Sequence, residues 1–386
     1  MKIGIATYFN IKNFGSALQA FAMRKTLTDR GFEVEFLNVR ERSFVSKLFH
    51  KMHVAFVTLF KCLFYKEARS VQKEITALKK HTTKDLHPKT ISAFDSFQRE
   101  NLPSVNIGRM ALRKKASTDE YAAFICGSDQ IWSPLSVHLS GYKFLNFAPK
   151  DKRVAYAPSF GVSRVPKYNR SFVAKNLKNM GCISVREQEG AKIAKDLTGK
   201  TVPVVLDPTM LLDGEEWRAM YRDKVGQLEC DDYILCYFFE DPDKKTAEKI
   251  VAFANERNLK IVVLFPHNEI FIKNGAKVQN AGPWEFLSLV DNAQYVFTSS
   301  FHGCAFSVLF KKAFISFGRR HSDSVKQTSR IQTLLNLVGA EASFYNEDDE
   351  GFSFPNVELF DEPMLKQRKY SLDYLNNSLK GGMLDK

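Results

Sequence analysis

The sequence predicts an α/β protein made of two doubly wound, Rossmann-like domains. Short apolar runs alternate with longer amphipathic stretches along most of the chain, as expected when strands and helices alternate. Most of the short runs are continuously apolar, which is typical of parallel strands that are buried on both faces. Because 386 residues exceed what one ordinary core accommodates, the alternation predicts two domains rather than one.

The apolar runs predict ten strands. In the first half of the chain they lie at 2–6, 33–37, 122–126, 153–156, 182–185 and 202–206, and in the second half at 233–239, 260–264, 295–298 and 313–317. Amphipathic stretches predict helices at 16–29, 188–197, 244–256 and 284–291. We expect the division between the domains after Asp207, so that residues 1–207 form the first domain, 208–363 the second and 364–386 a C-terminal helix.

The positive charge of the chain is concentrated in one region. The net charge is +13, and between Arg40 and Lys115 there are 17 Lys and Arg residues against 6 Asp and Glu residues. We expect this region, at about 40–115, to be a basic amphipathic helical insertion in the first domain. Its charge indicates an anionic partner, either lipid headgroups or nucleic acid. Nucleic acid is not expected, because no recognised binding motif accompanies the charge.

Apolar residues recur at helical spacing at the start of this region. They are Phe44, Leu48, Met52, Ala55, Phe56, Leu59, Phe60 and Leu63. A basic helix with an aromatic face suits the plane of an anionic bilayer surface, and the apolar stretch is too short to span one. The alternative is that this face packs on the first domain as ordinary core.

Motifs that are missing disfavour several classes of protein. The sequence has neither GxGxxG nor GxxxxGK[ST], which counts against a dinucleotide enzyme and a P-loop ATPase. Its six cysteines include no CxxC pair, and there is no HExxH, so no metal site is expected. The cysteine pattern, and an N-terminus that enters a strand without a secretory signal pattern, predict a reduced, cytoplasmic protein.

The predicted strand 295–298 is followed by the sequence SSFHG at 299–303. In an open α/β sheet, ligands bind beyond the carboxyl ends of the strands, where helix starts present N–H groups and a positive dipole end. His302 can exchange protons near neutral pH, and Ser300 and Gly303 lie beside it. The alternative is that His302 is a partly buried structural histidine.

The first predicted strand, 2–6, is followed by Asn10, Asn13 and Gly15 just before a helix. Gly15 would let the backbone come close to a ligand, and Ser16 would cap the helix. Two asparagines at this place would offer hydrogen bonds to a substrate. The alternative is a strand-to-helix turn with ordinary turn residues.

Ser128 and Asp129 follow the predicted strand 122–126. A carboxylate at the carboxyl end of a strand could orient or deprotonate a substrate hydroxyl. The alternative is that Ser128 or Asp129 only caps a helix. We interpret Trp132, slightly further on, as a core residue.

Arg186 directly follows the predicted strand 182–185. A guanidinium at this place suits a carboxylate or a phosphate, because it can bind either in a bidentate manner. The alternative is an ion pair with Glu187 or Glu189.

Arg330 lies in the first turn of another predicted helix, which Thr328 or Ser329 would cap. The helix is indicated by the spacing of Ile331, Leu334, Leu335 and Val338. A cation at a helix start is unfavourable by ~0.3–1 kcal/mol, which makes sense if an anion binds there. The alternative is an Arg that faces solvent. Further positive charge follows the strand 313–317, at Arg319, Arg320 and His321.

Five segments, in the same order, resemble the polysaccharide pyruvyl transferase family. They span residues 2 to about 340 and read KIGIATYFNIKNFGSALQAFA, FICGSDQIW, ISVREQEGAKIAKDL, VVLDPTMLL and SSFHGCAFSVLFKKAFISF. Each segment is weak alone, and their common order makes the resemblance specific. The family pattern leads us to expect Asp in place of Ser299 and Pro in place of Ala313. The first difference removes a possible partner of His302.

The resemblance implies a GT-B-like arrangement, with the active site in the cleft between the domains and the C-terminal helix packed back on the first domain. It implies transfer of pyruvate from phosphoenolpyruvate to a sugar diol as a ketal, without a cofactor, in the synthesis of a surface polysaccharide or glycolipid. The acceptor could be lipid-linked, which fits a cytoplasmic protein on the inner face of the membrane.

On this interpretation the candidate residues divide into three groups. The catalytic residues are His302 and Asp129. The donor-binding residues are Arg330, Arg186, Ser300 and Gly303. The acceptor-binding residues are Asn10, Asn13, Gly15 and Ser128.

Two other functions stay open at this point. One is a GT-B glycosyltransferase that uses a nucleotide sugar, which would bind a nucleotide and not phosphoenolpyruvate. The other is a non-catalytic, membrane-associated subunit of a glycan-assembly complex, which would keep its function when His302 and Arg330 are both replaced.

Overall fold

The computed structural model describes residues 1–39, 44–81, 86–226, 231–264, 269–318 and 328–380. Within these residues the chain forms two α/β domains, each built on a six-stranded sheet. Every paired strand in both sheets is parallel to its neighbour. The predicted class of two doubly wound domains is therefore confirmed.

The first sheet has the strand order β3-β2-β1-β4-β5-β6. Its strands are β1 (Lys2–Ala6), β2 (Glu33–Val39), β3 (Ser104–Ile107), β4 (Tyr121–Cys126), β5 (Arg153–Ala155) and β6 (Cys182–Ile183). Its helices are α1 (Phe14–Thr28), α2 (Phe44–Phe64), α3 (Lys66–His81), α4 (Pro88–Asn101), α5 (Arg109–Ala116), α6 (Lys167–Lys178) and α7 (Gln188–Thr198). The chain changes direction across the sheet between β1 and β4, and ligands bind at such a switch point.

The second sheet has the strand order β12-β11-β10-β7-β8-β9. Its strands are β7 (Tyr233–Tyr237), β8 (Lys260–Val263), β9 (Lys277–Val278), β10 (Tyr295–Thr298), β11 (Ala313–Phe317) and β12 (Phe344–Tyr345). Its helices are α8 (Gly214–Tyr221), α9 (Lys244–Glu256), α10 (Glu269–Lys273), α11 (Pro283–Asn292), α12 (Phe301–Leu309) and α13 (Ser329–Val338), and α14 (Asp361–Lys380) follows. Here the switch point lies between β7 and β10.

Nine of the ten predicted strands are present, with differences of up to two residues at their ends. The prediction at 202–206 is wrong, because this run makes only an isolated bridge between Val204 and Val185. The strands β3, β9 and β12 were not predicted. They are two to four residues long and lie at or next to the sheet edges, where a continuous apolar run is not required.

The region 40–115 does not form one helical insertion. Helices α2 and α3 follow one another with only Tyr65 between them, but α4 and β3 belong to the framework of the first domain. Phe94 and Phe97 of α4 are buried, and the ring of Phe94 lies 5.2 Å from that of Phe14 in α1. Residues 40–43 and 82–85 of this region lie outside the described residues.

The two domains meet through aromatic side chains of α1 and α11. Phe14 stacks on Phe286 with ring centroids 4.8 Å apart and an interplanar angle of 7°. Phe21 meets Trp284 edge to face, with centroids 5.1 Å apart. Aromatic pairs of this kind add about 0.5–1.5 kcal/mol each to the free energy gained from burial.

Helix α14 returns from the second domain and packs on the first. The Ser371 hydroxyl accepts a hydrogen bond from the Leu206 N–H at 2.9 Å, and the Gln367 side chain donates to the Val204 carbonyl at 3.0 Å. The Tyr374 hydroxyl reaches the Ala155 carbonyl at 3.3 Å. Two Rossmann-like domains joined in this way form a GT-B-like arrangement.

Two further observations concern membranes and metals. Among the described helices, none combines the length and the apolar character that crossing a bilayer requires. In the same part of the chain, no group of three or more His, Cys, Asp and Glu side chains is placed to hold a metal ion.

Candidate active site

The carboxyl ends of all four strands at the two switch points open on one cavity of about 210 Å³. Tyr8 follows β1, Asp129 follows β4, Phe239 follows β7 and Ser300 follows β10, and all four line this cavity. We call it the cleft cavity. It lies between the domains, at the place where the topology of both sheets predicts a ligand.

Three helices begin at the cleft cavity. Asn13 caps α1, because its side chain accepts a hydrogen bond from the Ser16 N–H at 3.0 Å. Ser300 caps α12 by accepting from the Gly303 N–H at 3.3 Å. Arg330 is the second residue of α13, and all three of Asn13, Ser300 and Arg330 line the cavity. Three helix starts give the cavity a positive potential that favours an anion.

His302 lies in the first turn of α12, and its ring rests on the backbone of Gly15 in α1. A Cβ atom placed on Gly15 would be 1.9 Å from Nδ1 of His302, which is far inside any permitted contact. From the sequence we expected a ligand to approach the backbone at Gly15. In the structure the His302 ring takes that place. Gly15 is a residue of the first domain and His302 of the second, so this contact joins the two halves of the site.

Asp207 and Arg186 form a buried ion pair behind the cleft cavity. Nη1 of Arg186 lies 2.6 Å from Oδ2 of Asp207, and the two side chains are 1 % and 0 % exposed. The Ser128 hydroxyl donates to the same oxygen at 2.7 Å, and the other oxygen accepts from the N–H and the hydroxyl of Thr209 at 3.0 and 2.8 Å. Nε2 of His302 lies 3.7 Å from Oδ2, which is an ion-pair distance rather than a hydrogen bond.

The charges around Asp207 keep its carboxyl ionised. Burial alone would raise its pKa, but the neighbouring His302 and Arg186 and the hydrogen bond from Ser128 outweigh burial and hold the pKa well below its usual range. The site thus contains a permanent buried negative charge next to an imidazole.

Asp207 is the functional residue that reasoning from the sequence missed. The family pattern led us to expect an Asp at position 299 as the partner of His302. Ser299 instead accepts a hydrogen bond from the Phe239 N–H at 3.1 Å, and Asp207 supplies the carboxylate from the first domain. The available signal was the segment VVLDPTMLL, one of the five that carry the resemblance.

Asp129 is the carboxylate that faces the cleft cavity. Its side chain is 16 % exposed, it accepts a hydrogen bond from the Ser16 hydroxyl, and Nη2 of Arg186 lies 3.9 Å away. Burial acts to raise its pKa, but Arg186, His302 and the hydrogen bonds outweigh burial and lower it. Its backbone has a φ of 61°, an unusual value for a residue with a side chain, which is common where geometry serves a site.

Five predicted site residues line the cleft cavity. They are Asn13, Asp129, Ser300, His302 and Arg330. Arg186 and Ser128 lie behind the cleft cavity, where both contact Asp207. The alternative prediction, an ion pair of Arg186 with Glu187 or Glu189, is therefore wrong, because Asp207 is the partner.

The other predicted residues take structural or distant positions. Gly303 is buried in the first turn of α12, where a Cβ would lie 2.4 Å from the Thr298 hydroxyl. Asn10 is exposed and is not among the residues that line the cavity. Asn13, rather than Ser16, caps α1. Trp132 is buried as predicted, and Arg319, Arg320 and His321 lie outside the described residues.

Arg330 is not the solvent-facing residue of the alternative interpretation. It is 6 % exposed, although it stands at a helix start. Arg330 and Phe301 also line a second, larger cavity of about 570 Å³, which extends towards α14. Arg186 also lines this second cavity, and its guanidinium lies over the Phe301 ring, 4.3 Å from the ring centroid.

Comparison with known proteins identifies one family. The family model described as Polysaccharide pyruvyl transferase matches residues 13–321. No curated protein matches the chain in sequence.

Among solved structures, the chain is similar to UDP-GlcNAc 2-epimerase from Neisseria meningitidis bound to UDP-GlcNAc, with a TM-score of 0.47 and 9 % identity over 100 % of this chain and 98 % of that one. The UDP-GlcNAc 2-epimerase from Methanocaldococcus jannaschii has a TM-score of 0.46 and 11 % identity over 98 % and 100 % of the two chains. MurG from Acinetobacter baumannii has a TM-score of 0.41 and 10 % identity over 99 % and 94 %.

We predict that Gly15→Ala destabilises the protein through its contact with the His302 ring. Gly→Ala in a helix ordinarily stabilises by about 0.5–1 kcal/mol, whereas the overpacking here should destabilise by about 1–3 kcal/mol. Denaturant titrations of the two single variants and of Gly15→Ala/His302→Ala measure the coupling. In the double variant the methyl group has room, so the destabilisation should disappear. An equal loss in both backgrounds would contradict the contact.

We predict that Asp207→Asn lowers the free energy of unfolding at neutral pH by about 3–5 kcal/mol, because it leaves Arg186 buried without its full counter-charge. The pKa of Asp207 is lowered in the folded protein, so its carboxylate stabilises the fold above the unfolded pKa, near 3.8. That contribution is lost as the pH falls through the acid range. The variant should therefore be less sensitive to acid than the wild type.

Denaturant titrations from neutral to acid pH measure both effects of Asp207→Asn. The control is Asp196→Asn, which removes an exposed partner of Arg170 and should leave stability nearly unchanged, because solvent screens this pair. If the free energy of unfolding of Asp207→Asn at neutral pH equals that of the wild type, this ion pair does not stabilise the fold.

Proposed function

The chain belongs to the polysaccharide pyruvyl transferase family, and from this membership we propose that it transfers pyruvate from phosphoenolpyruvate to two hydroxyls of a sugar, forming a cyclic ketal. Membership identifies a transferase of polysaccharide biosynthesis that acts on a sugar acceptor. The donor, the ketal and the roles of individual residues are the substance of the proposal. It requires no cofactor.

The observation that carries this proposal is the anion site formed by the cleft cavity. Three helix starts, the buried Arg330 and His302 all meet there. Phosphoenolpyruvate bears a carboxylate and a phosphate on a small molecule, and a positive potential with a guanidinium suits both groups. A cation at the start of α13 faces the positive end of the helix dipole, and a bound anion would be attracted by both.

His302 is the general acid of the proposed reaction. It protonates the methylene carbon of phosphoenolpyruvate, which leaves an oxocarbenium-like centre at the next carbon. The carboxylate of Asp207 lies 3.7 Å from Nε2 of His302 and helps to orient the ring. Gly15 holds the ring in place from the other domain.

Asp129 acts on the sugar. Its lowered pKa keeps it ionised near neutral pH, so it can accept a hydrogen bond from an acceptor hydroxyl and orient that hydroxyl towards the electrophilic carbon. The first hydroxyl attacks this carbon, phosphate leaves, and the second hydroxyl closes the ketal. Of the two protons that the hydroxyls release, one restores His302 and the other leaves with phosphate.

The test of the activity is incubation with phosphoenolpyruvate and a panel of free and lipid-linked glycans. Release of phosphate together with the mass of a pyruvylated product would support the proposal. Calorimetric titration with phosphoenolpyruvate and, separately, with uridine diphosphate distinguishes the glycosyltransferase alternative. Binding of the nucleotide without binding of phosphoenolpyruvate would overturn the proposal.

We predict that His302→Ala lowers turnover by ~10²–10⁴, which is the usual contribution of a positioned acid or base. His302→Gln, which keeps polar volume but cannot act as an acid, should lose as much. Phosphate release measures turnover, and circular dichroism verifies folding. Near-normal turnover in either folded variant would exclude His302 as the acid.

We predict that Arg330→Ala weakens phosphoenolpyruvate binding by about 10–100-fold, since a charged hydrogen bond contributes about 1.5–3 kcal/mol. Arg330→Lys keeps the charge without the bidentate geometry, so its affinity for phosphoenolpyruvate should lie between those of the wild type and Arg330→Ala. Calorimetry gives the affinities, and Arg257→Ala, far from the cleft cavity, is the control. Equal donor affinity in wild type and Arg330→Ala would exclude the role.

A further inference from the structure

Helix α2 presents its large apolar residues to solvent. Each of the residues on this face is 49–68 % exposed, and they are Leu48, Phe49, Met52, Phe56, Leu59, Phe60, Leu63 and Phe64. We call this set the outer face of α2. Contiguous apolar patches of this kind on a water-exposed surface mark sites of interaction.

The opposite face of α2 is attached to the first domain through a lysine. Nζ of Lys61 donates to the Val137 carbonyl at 2.9 Å and to Oδ1 of Asn169 at 2.6 Å. Burial lowers the pKa of Lys61. Cys62 packs beside it against Tyr168. The helix is therefore held with a polar contact inward and its apolar residues outward, which is the reverse of an ordinary surface helix.

This orientation contradicts the interpretation of the apolar residues as core of the first domain. Had they been core, Lys61 would face solvent and Phe56 and Phe60 would be buried. Instead Phe56 is 68 % and Phe60 51 % exposed. The outer face has no covering element among the described residues.

The surroundings of the outer face are basic. Residues 44–81 contain eight Lys and Arg against two Glu, and Lys51, Lys66, Arg69 and Lys73 are exposed. A second copy of this chain would bring the same positive charge to the contact, which disfavours self-association. Anionic lipid headgroups offer the opposite charge, and the acyl region beneath them offers an apolar environment.

We propose that α2 docks this protein on an anionic lipid bilayer. The helix lies in the plane of the interface, with its outer face in the boundary between headgroups and acyl chains and its basic residues against the headgroups. This inference goes beyond pyruvyl transfer and does not depend on it. If the proposed function also holds, docking brings the cleft cavity to the surface at which a lipid-linked acceptor is found.

The experiment is co-sedimentation of the full chain with vesicles of phosphatidylcholine mixed with phosphatidylglycerol, and with vesicles of phosphatidylcholine alone. Wild type should sediment with the anionic vesicles and much less with the neutral ones. Added salt should weaken the binding, because it screens the attraction between lysines and headgroups.

Two pairs of variants separate the apolar contribution from the electrostatic one. Phe56→Glu/Phe60→Glu should lower the affinity for anionic vesicles at least about tenfold. Its thermal stability should stay unchanged, because both rings are exposed. Lys51→Gln/Lys66→Gln should lower the affinity about fivefold for each charge removed, and this loss should occur only with anionic vesicles. The matched control is Leu359→Glu/Leu365→Glu, which changes two exposed leucines away from α2 and should bind like wild type.

Three results would overturn the proposal. Wild type could stay in the supernatant with anionic vesicles at low salt. Phe56→Glu/Phe60→Glu could unfold, which would show that the outer face is core. The protein could instead form a dimer in light scattering that this variant abolishes, without binding vesicles, which would assign the outer face to a second copy. None of these results bears on turnover in a soluble assay, so the proposed function is tested separately.

Discussion

The site depends on one buried ion pair, between Arg186 and Asp207. Burying two charges is costly unless their remaining hydrogen-bonding positions are filled, and here both oxygens of Asp207 have polar neighbours. Those neighbours come from separate segments: Ser128 after β4, Arg186 after β6 and His302 from the second domain. The pair therefore fixes the relative positions of two strand ends, the segment that carries Asp207 and the helix start that carries the imidazole.

The interface between the two domains depends on close packing at the start of α1. The His302 ring occupies the space above Gly15 that the side chain of any other residue would fill, and Phe14, the preceding residue of α1, stacks on Phe286. One helix of the first domain thus contacts both the imidazole and the core of the second domain. A site assembled from two domains in this way is preorganised, because moving either domain would disturb packing as well as charge.

The outer face of α2 differs from the interface between the domains, because its large apolar residues are exposed. Elsewhere in the described residues most aromatic side chains are buried against one another, but in α2 the contact that orients the helix is the polar one at Lys61. Exposed Phe and Leu residues gain nothing in water, and the proposed contact with a bilayer would cover them. On the two proposals, the chemistry lies in the cleft between the domains and membrane docking lies on α2, so each can be altered without the other.

The sequence by itself determined the class of fold, most strands and which strand ends carry polar residues, because buried parallel strands and helix starts leave local patterns. It placed Asp129, His302 and Arg330 at such ends, and all three line the cleft cavity. Only the tertiary structure decided that Asp207 replaces the Asp expected at position 299, that Gly15 receives the His302 ring and that Phe56 and Phe60 face outward. Each of these depends on a contact between segments distant in the chain, and helical or strand periodicity has no information about which distant segment will lie opposite.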